Sequence, residues 1–185
     1  MSRKTLNRAE LNPDVLVALN TAPDYSDTFT REVMSLHRAI ADELSAPVEH
    51  DDDMNYSSAQ KLVVWLDKGY HFLAPSNPDK AVYRLIDFVS SRGRFFTFMT
   101  LGLSASTAGW KEKGLEEPKR YWTLVAKNNL PDEIKSVQKQ IASIMESNGY
   151  QHLDDAVLSQ EATGHWTKLD GQPATVFQAL FSEMY

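Results

Sequence analysis

The sequence contains no cysteine among its 185 residues. This absence excludes disulfide bonds, thiolate metal sites, iron–sulfur clusters and catalysis by a cysteine nucleophile. Basic residues are also scarce, because 19 Lys and Arg stand against 25 Asp and Glu and leave a formal charge of −6 at pH 7. Proteins that bind nucleic acid concentrate Lys and Arg on one face, where these side chains contact phosphates. The composition therefore argues against a nucleic-acid partner.

Long apolar segments are missing as well. The longest stretch without a formal charge, Phe95 to Trp110, is interrupted by threonine, serine and glycine. A membrane span requires about 20 apolar residues. The first ten residues lack the apolar stretch of a secretory signal. We therefore expect a cytoplasmic protein with no membrane partner.

Apolar residues at helical spacing predict helices in the first part of the chain. Asn12-Pro13-Asp14 supplies a capping residue, a proline for the first turn and an acid near the positive end of the helix dipole. Residues 27–44 carry an apolar stripe at spacings of three and four, which predicts a longer helix. Ser57-Ser-Ala-Gln60 resembles a capping box and predicts a third helix that ends near Gly69. Residues 1–75 are thus expected to be mainly helical.

Residues 76–185 are expected to contain most of the strands. The pattern of residues 79–89 is compatible with a helix and equally with a strand. Further on, the sequence predicts strands at 94–101 and 121–125, an amphipathic helix at 131–147 and a hairpin with strands at 166–169 and 174–181. Helices followed by strands around one long helix predict an α+β fold, in a single domain with a mixed or antiparallel sheet.

Two features are candidates for contact with a partner. The first is the acidic run Glu49-His50-Asp51-Asp52-Asp53, predicted to be a loop. It lacks the glycine and the alternate spacing of a calcium loop, so its simplest interpretation is a solvated turn. As a functional site, it would attract a basic protein, because complementary charges accelerate association. The second is Trp110 in a predicted loop, since exposed aromatics often anchor protein interfaces.

Catalytic and metal-binding motifs are weak. Gly102-Leu-Ser-Ala-Ser106 resembles the Gly-x-Ser-x-Gly nucleophile elbow, but Ser106 occupies the place of the second glycine. No two of the five histidines stand at the spacing of metal ligands on one helix face. We therefore predict no catalytic residue, no metal site and no cofactor. The alternative is a pocket in which Ser104, Ser106 and His152 or His165 meet in space with carboxylates.

One part of the chain resembles the bacterial suppressor-of-fused-like domain. The strand from Arg94 ends in Thr100-Leu-Gly-Leu-Ser104, which is similar to the Thr-x-Gly-hydrophobic-Ser signature of that family. The strand Tyr121 to Ala126, the helix from Pro131 to Ser147 and the stretch Gly149 to Leu158 follow in the family's order. The resemblance covers about residues 82–158. It implies a protein-binding role without enzymatic activity, often as an immunity protein that neutralises a toxin.

Three functions are compatible with the sequence. The first is a non-enzymatic binding module, an immunity or inhibitor protein that occludes a basic toxin through Glu49, Asp51, Asp52, Asp53 and Trp110. The second is a small-molecule enzyme or ligand-binding domain with a pocket near Ser104 and His152. The third is a structural component of a phage or secretion apparatus, which self-associates through an exposed strand at 174–181.

Overall fold

The computed structural model of the protein describes residues 11–66, 82–105 and 120–184. The helices are α1 (Pro13–Asn20), α2 (Asp27–Leu44), α3 (Asp132–Ser147), α4 (Asp155–Leu158) and α5 (Val176–Leu180). The strands are β1 (Val48–Asp51), β2 (Ala59–Trp65), β3 (Val82–Ser90), β4 (Phe95–Ala105), β5 (Arg120–Leu124), β6 (Gln151–His152), β7 (Glu161–Trp166) and β8 (Pro173–Thr175). Within these ranges, each helix is too short or too polar to cross a lipid bilayer.

The main sheet joins its first five strands in chain order. Strands β1 to β5 lie side by side and each pair is antiparallel. Strand β6 is parallel to β4 and pairs with it at Phe95 and Phe96. Strands β7 and β8 form a separate antiparallel pair. The predicted α+β class is confirmed, and the main sheet is mixed.

Helices cover the main sheet on both faces, as the alternation of side chains along β3 shows. Leu85 and Val89 belong to a buried cluster with α2 and α3. Ile86 and Phe88, which point the opposite way, belong to a second cluster with α1, α4 and α5. The central strands are therefore enclosed between two apolar layers.

Burial on both faces explains the error in the predicted helix from Ser57 to Gly69. The segment Ala59–Trp65 is strand β2, and all seven of its residues are buried. A strand enclosed on both faces has a nearly continuous apolar sequence without alternation, which resembles a buried helix. Within residues 11–66, the described part of the region expected to be mainly helical, helices α1 and α2 end at Leu44 and strands β1 and β2 follow. The open question at 79–89 is resolved as a strand from Val82.

The predicted C-terminal hairpin forms as β7 and β8, but its strands differ from the predicted 166–169 and 174–181. Only Pro173–Thr175 is extended, and helix α5 begins at Val176. The Thr175 hydroxyl accepts a hydrogen bond from the Gln178 backbone, and the Gln178 side chain accepts one from the Thr175 backbone. This capping box starts the helix. Residues 176–180 are helical and Leu180 is buried, so these residues do not form the exposed strand that was expected to mediate self-association.

The long helices match the sequence closely. The Ser26 hydroxyl caps α2 by accepting a hydrogen bond from the backbone N–H of Phe29. Helix α2 spans the predicted 27–44, and α3 begins one residue after the predicted start at Pro131. Gly149 follows α3 with a φ of +82°, a conformation that favours glycine. Both helices pack on the same face of the sheet, whereas the sequence predicts one long helix packed on it.

Candidate partner-binding surface

The acidic run Glu49 to Asp53 begins in an edge strand and continues into a turn, so its prediction as a loop is partly wrong. Glu49 and Asp51 lie in β1, whose strand partner within the described ranges is β2. Strand β1 therefore forms one edge of the main sheet. Asp52 and Asp53 follow it and are exposed. Glu49 is exposed as well, but it lies on the strand rather than in the turn.

Asp51 has a structural role in this turn. Its carboxylate lies 2.8 Å from the Lys61 ammonium and accepts a hydrogen bond of 3.0 Å from the backbone N–H of Asp53. Partial burial acts to raise the pKa of Asp51, but the Lys61 and Asp53 hydrogen bonds and nearby positive charges outweigh burial and lower the pKa. Asp53 in turn accepts a hydrogen bond from the backbone N–H of Asn55 at 2.9 Å. These bonds fix the turn that presents Asp52 and Asp53.

Two exposed tyrosines stand beside these aspartates. Tyr25 is 60% exposed and Tyr56 is 47% exposed. Both line a surface depression of about 580 Å³ together with Asp52, Asp53 and neighbouring residues. Tyrosine combines a large apolar ring with a polar hydroxyl, and it is enriched where proteins bind one another.

The backbone of Tyr56 adopts a left-handed conformation, with a φ of +53°. Such a conformation is strained for a bulky residue that is not glycine. Neighbouring bonds hold it in place. The carbonyl of Tyr56 accepts a hydrogen bond of 2.9 Å from the backbone N–H of Glu183, and the backbone N–H of Ser57 donates to Met54 at 3.1 Å. Strain of this kind is often found at functional sites.

Arg92 joins the two segments that carry the tyrosines. Its guanidinium donates to the carbonyl of Thr21 at 2.7 Å, in the loop that leads to Tyr25. The same guanidinium donates to the hydroxyl of Ser58 at 3.2 Å, just after Tyr56. Arg92 therefore connects the segment before Tyr25 with the segment after Tyr56.

A third exposed aromatic extends the surface. Trp166, at the end of β7, is 65% exposed. It lines a small cavity whose other walls include Tyr56 and Lys168, and Lys168 also lines the larger depression. We call the continuous group formed by Tyr25, Asp52, Asp53, Tyr56, Trp166 and Lys168 the aromatic–acidic surface.

The structure separates the predicted contact residues. Asp52 and Asp53 belong to the aromatic–acidic surface, whereas Glu49 is exposed on the edge strand outside the depression. Asp51 is held by Lys61. Trp110 lies outside the described residues. Sequence reasoning missed Tyr25, Tyr56 and Trp166, although the acidic run directly precedes Met54-Asn55-Tyr56.

The alternative pocket near Ser104 and His152 does not form from these two residues. His152 stands opposite Phe96 in the sheet, and Ser104 is eight positions further along the same strand. At a rise of about 3.3 Å per residue, this spacing places the two backbones roughly 26 Å apart. Ser106 lies outside the described residues. Within the ranges that are described, no group of three or more His, Asp or Glu side chains is placed to hold a metal ion.

His152 has a structural environment. Its ring lies 5.2 Å from the ring of Phe96 and 5.5 Å from that of Phe98, measured between centroids. Its Nε2 atom is buried and has no hydrogen-bond partner within the described ranges. Burial and the charge of Lys127 lower the pKa of His152. The partly buried ring packs on two phenylalanines, which gives His152 a structural role.

The geometry defines an α+β protein with an exposed aromatic–acidic surface. Searches with the chain find no matching protein-family model, no matching curated protein and no matching solved structure. The functional conclusion therefore depends on this surface and its chemistry.

Proposed function

We propose that the protein is a non-enzymatic, cytoplasmic binding protein that holds a basic protein partner through the aromatic–acidic surface. The observation that carries this proposal is the presence of exposed Tyr25 and Tyr56 beside Asp52 and Asp53 on one depression of about 580 Å³. Aromatic side chains supply most of the affinity at many interfaces, while charges at the rim accelerate the encounter.

The fixed positions of the tyrosines support this role. The loop of Tyr25 is bound to the end of β3, where the backbone N–H of Asp24 donates to Ser91 at 3.0 Å. Tyr56 is held by the C-terminal segment through Glu183. Backbone segments that are already held in place lose little entropy when a partner binds. The surface is therefore prepared for binding before the encounter.

Charge defines the class of partner. The protein carries a net charge of −6, and Asp52 and Asp53 add two exposed carboxylates to the surface. Lys168 offsets one of these charges within the depression. We infer a basic protein whose own functional surface is covered by this one, as in an immunity or inhibitor protein that acts by occlusion. The resemblance to suppressor-of-fused-like domains favours the same role.

The test begins with the tagged protein expressed in its native cell, from which a stoichiometric partner is purified and identified. Association and dissociation rates with this partner are then measured at several salt concentrations. We expect the double variant Asp52→Asn/Asp53→Asn to associate more slowly and with a weaker salt dependence. We expect Tyr25→Ala and Trp166→Ala to dissociate at least tenfold faster.

A matched control changes the same charge elsewhere. Asp42 and Glu43 are exposed on α2, so Asp42→Asn/Glu43→Gln removes two negative charges outside the aromatic–acidic surface. This control should leave both rates within twofold of the original protein. If the control and the Asp52/Asp53 variant slow association equally, or if neither aromatic variant changes dissociation, the proposal is wrong.

A further inference from the structure

A second candidate site lies where the strand pairing along one edge of β4 is interrupted. Strand β6 pairs with β4 at Phe95 and Phe96, and β5 pairs with it from Leu101 onward. At the two ends of the interruption, Leu153 donates to the carbonyl of Phe96 at 3.0 Å and Val125 donates to the carbonyl of Thr100 at 2.9 Å. The residues between these two bonds lack a strand partner on this side within the described ranges.

The backbone of Phe98 faces this interruption. Successive residues of a strand direct their N–H and C=O groups to opposite sides. Because the carbonyls of Phe96 and Thr100 point toward β6 and β5, the N–H and C=O of Phe98 point the same way. In the described part of the chain, neither group has a backbone partner. Phe98 therefore offers one donor and one acceptor, side by side.

A cavity of about 380 Å³ lies against these groups. Four consecutive residues of β4, Thr97 to Thr100, line it. Since their side chains alternate between the two faces of the sheet, a cavity that meets all four must lie at the strand's edge. The remaining walls are largely apolar and include Leu124, Leu130, Leu158 and Phe177. Leu124 is 67% exposed, so this wall of the cavity reaches solvent.

The cavity has few polar groups, and most of them already form ion pairs or hydrogen bonds within the protein. Lys127 and Asp155 form an ion pair of 2.8 Å among the residues that line it. Gln138 donates to the hydroxyl of Thr100 at 3.4 Å. The volume and lining are typical of pockets for small molecules, which combine apolar walls with a few placed hydrogen-bonding groups.

The length of the interruption sets the size of the occupant. Phe96 and Thr100 are four residues apart, or roughly 13 Å at 3.3 Å per residue. Strands β5 and β6 close the two ends, so an extended peptide of several residues would collide with them. A molecule that matches both backbone groups of Phe98 must present an N–H and a C=O with the spacing of one amino-acid residue, because paired residues in a sheet exchange both bonds.

We propose that this cavity binds a compact apolar molecule that contains one –NH–CHR–CO– unit, such as an acylated apolar amino acid. The N–H of the ligand donates to the carbonyl of Phe98, its carbonyl accepts from the N–H of Phe98, and its apolar side chain contacts Leu158 and Phe177. This inference is independent of the proposed function, since the cavity and the aromatic–acidic surface share no residue.

The test is a titration of the ¹⁵N-labelled protein with N-acetyl-L-leucine methylamide, followed by two-dimensional NMR. We expect a saturable shift of the Phe98 amide signal at millimolar concentrations. The matched ligand control is N-acetyl-N-methyl-L-leucine methylamide, which lacks the leucine N–H. It should bind about fivefold more weakly, as the loss of one hydrogen bond predicts.

A pair of protein variants locates the binding site. Ser159→Phe places a large ring at the cavity wall, whereas Ala156→Phe places the same ring on an exposed position of α4 outside the cavity. We expect Ser159→Phe to weaken binding at least tenfold and Ala156→Phe to leave it within twofold. Absence of a saturable Phe98 shift, equal binding of the two ligands, or equal effects of the two variants would each overturn the proposal. Spectra of the free variants establish that both are folded.

Discussion

The hydroxyl oxygen of Ser57 lies 2.7 Å from the backbone carbonyl oxygen of Phe181, a residue 124 positions further along the chain. The backbone N–H of Ser58 donates to the same carbonyl at 2.8 Å. These bonds attach the turn that carries Tyr56 to the residue that ends α5. The position of Tyr56 therefore depends on helix α5.

Replacement of Ser57 should destabilise the protein. The Ser57 hydroxyl is buried and also accepts a hydrogen bond from the backbone N–H of Ala59 at 3.2 Å. We expect Ser57→Ala to lower the free energy of unfolding by about 1–2 kcal/mol, because it leaves buried backbone groups with fewer partners. Urea unfolding measures this change. Ser159→Ala, at an exposed serine, should change stability by less than about 0.5 kcal/mol.

Two variants of Tyr56 should differ in stability but not in their affinity for the proposed partner. Glycine adopts the left-handed φ of +53° without strain, while alanine and tyrosine do not. We expect Tyr56→Gly to be about 1 kcal/mol more stable than Tyr56→Ala in thermal or urea unfolding. Both variants lose the ring and should bind the partner equally weakly. Equal stability of the two variants would show that the backbone relaxes when the ring is removed.

Asp87 is a buried acid in the layer between the main sheet and helices α2 and α3. It lies between Leu85 and Val89 on β3 and is 0% exposed. Neither carboxylate oxygen has a hydrogen-bond partner among the residues that the structure describes. Burial alone raises the pKa of Asp87 well above its usual value. The folded protein therefore binds this proton more tightly than the unfolded chain does.

This raised pKa predicts the sign of a pH effect on stability. The free energy of unfolding should decrease as the pH rises above about 4, the ordinary pKa of an aspartate in an unfolded chain. The variant Asp87→Asn cannot lose a proton and should lack this part of the decrease. Urea unfolding between pH 4 and 8 compares the two slopes. Asp52→Asn, at an exposed aspartate, serves as the control, and identical slopes for Asp87→Asn and the original protein would contradict the assignment.

Arg84 should couple energetically to an aromatic neighbour. Its guanidinium carbon lies 4.8 Å from the ring centroid of Trp122 and 6.0 Å from that of Trp65. A double-mutant cycle with Arg84→Met and Trp122→Leu isolates the interaction with Trp122. We expect a coupling energy of about 1 kcal/mol, the ordinary size of a partly buried cation–π contact. The cycle is measured by urea unfolding, and a coupling energy near zero would show that the stacked geometry contributes nothing.

The long helices could be predicted because each has one apolar stripe and one polar face. Helix α2 buries Phe29, Val33, Leu36 and Ile40 on a single side. Strand β2 and helix α5 could not be predicted in the same way. Each is short and enclosed by other elements, so its apolar residues show no period that distinguishes a helix from a strand. Packing against the rest of the fold, rather than a pattern in the sequence, determines that β2 is a strand and α5 a helix.

The candidate surface was predictable only where its residues are adjacent in sequence. Asp52 and Asp53 could be identified because a run of acids is visible in the chain. Tyr25, Tyr56 and Trp166 come from three distant segments, and their exposure depends on how α1, β1 and β7 pack. An exposed tyrosine and a buried one look the same in a sequence. Contacts such as those of Arg92 bring them together only in the fold.

The chain-order arrangement of β1 to β5 has a consequence for how the protein is made. These strands pair with their neighbours in sequence and can therefore assemble through contacts of short range. The turn that carries Tyr56 can be completed only much later, because Ser57 bonds to Phe181 and Ser90 bonds to Leu180. During synthesis the main sheet can form while the binding surface is still incomplete. The turn of Tyr56 can therefore be completed only after Phe181 has been synthesised, and a chain that ends before Phe181 is expected not to form the aromatic–acidic surface.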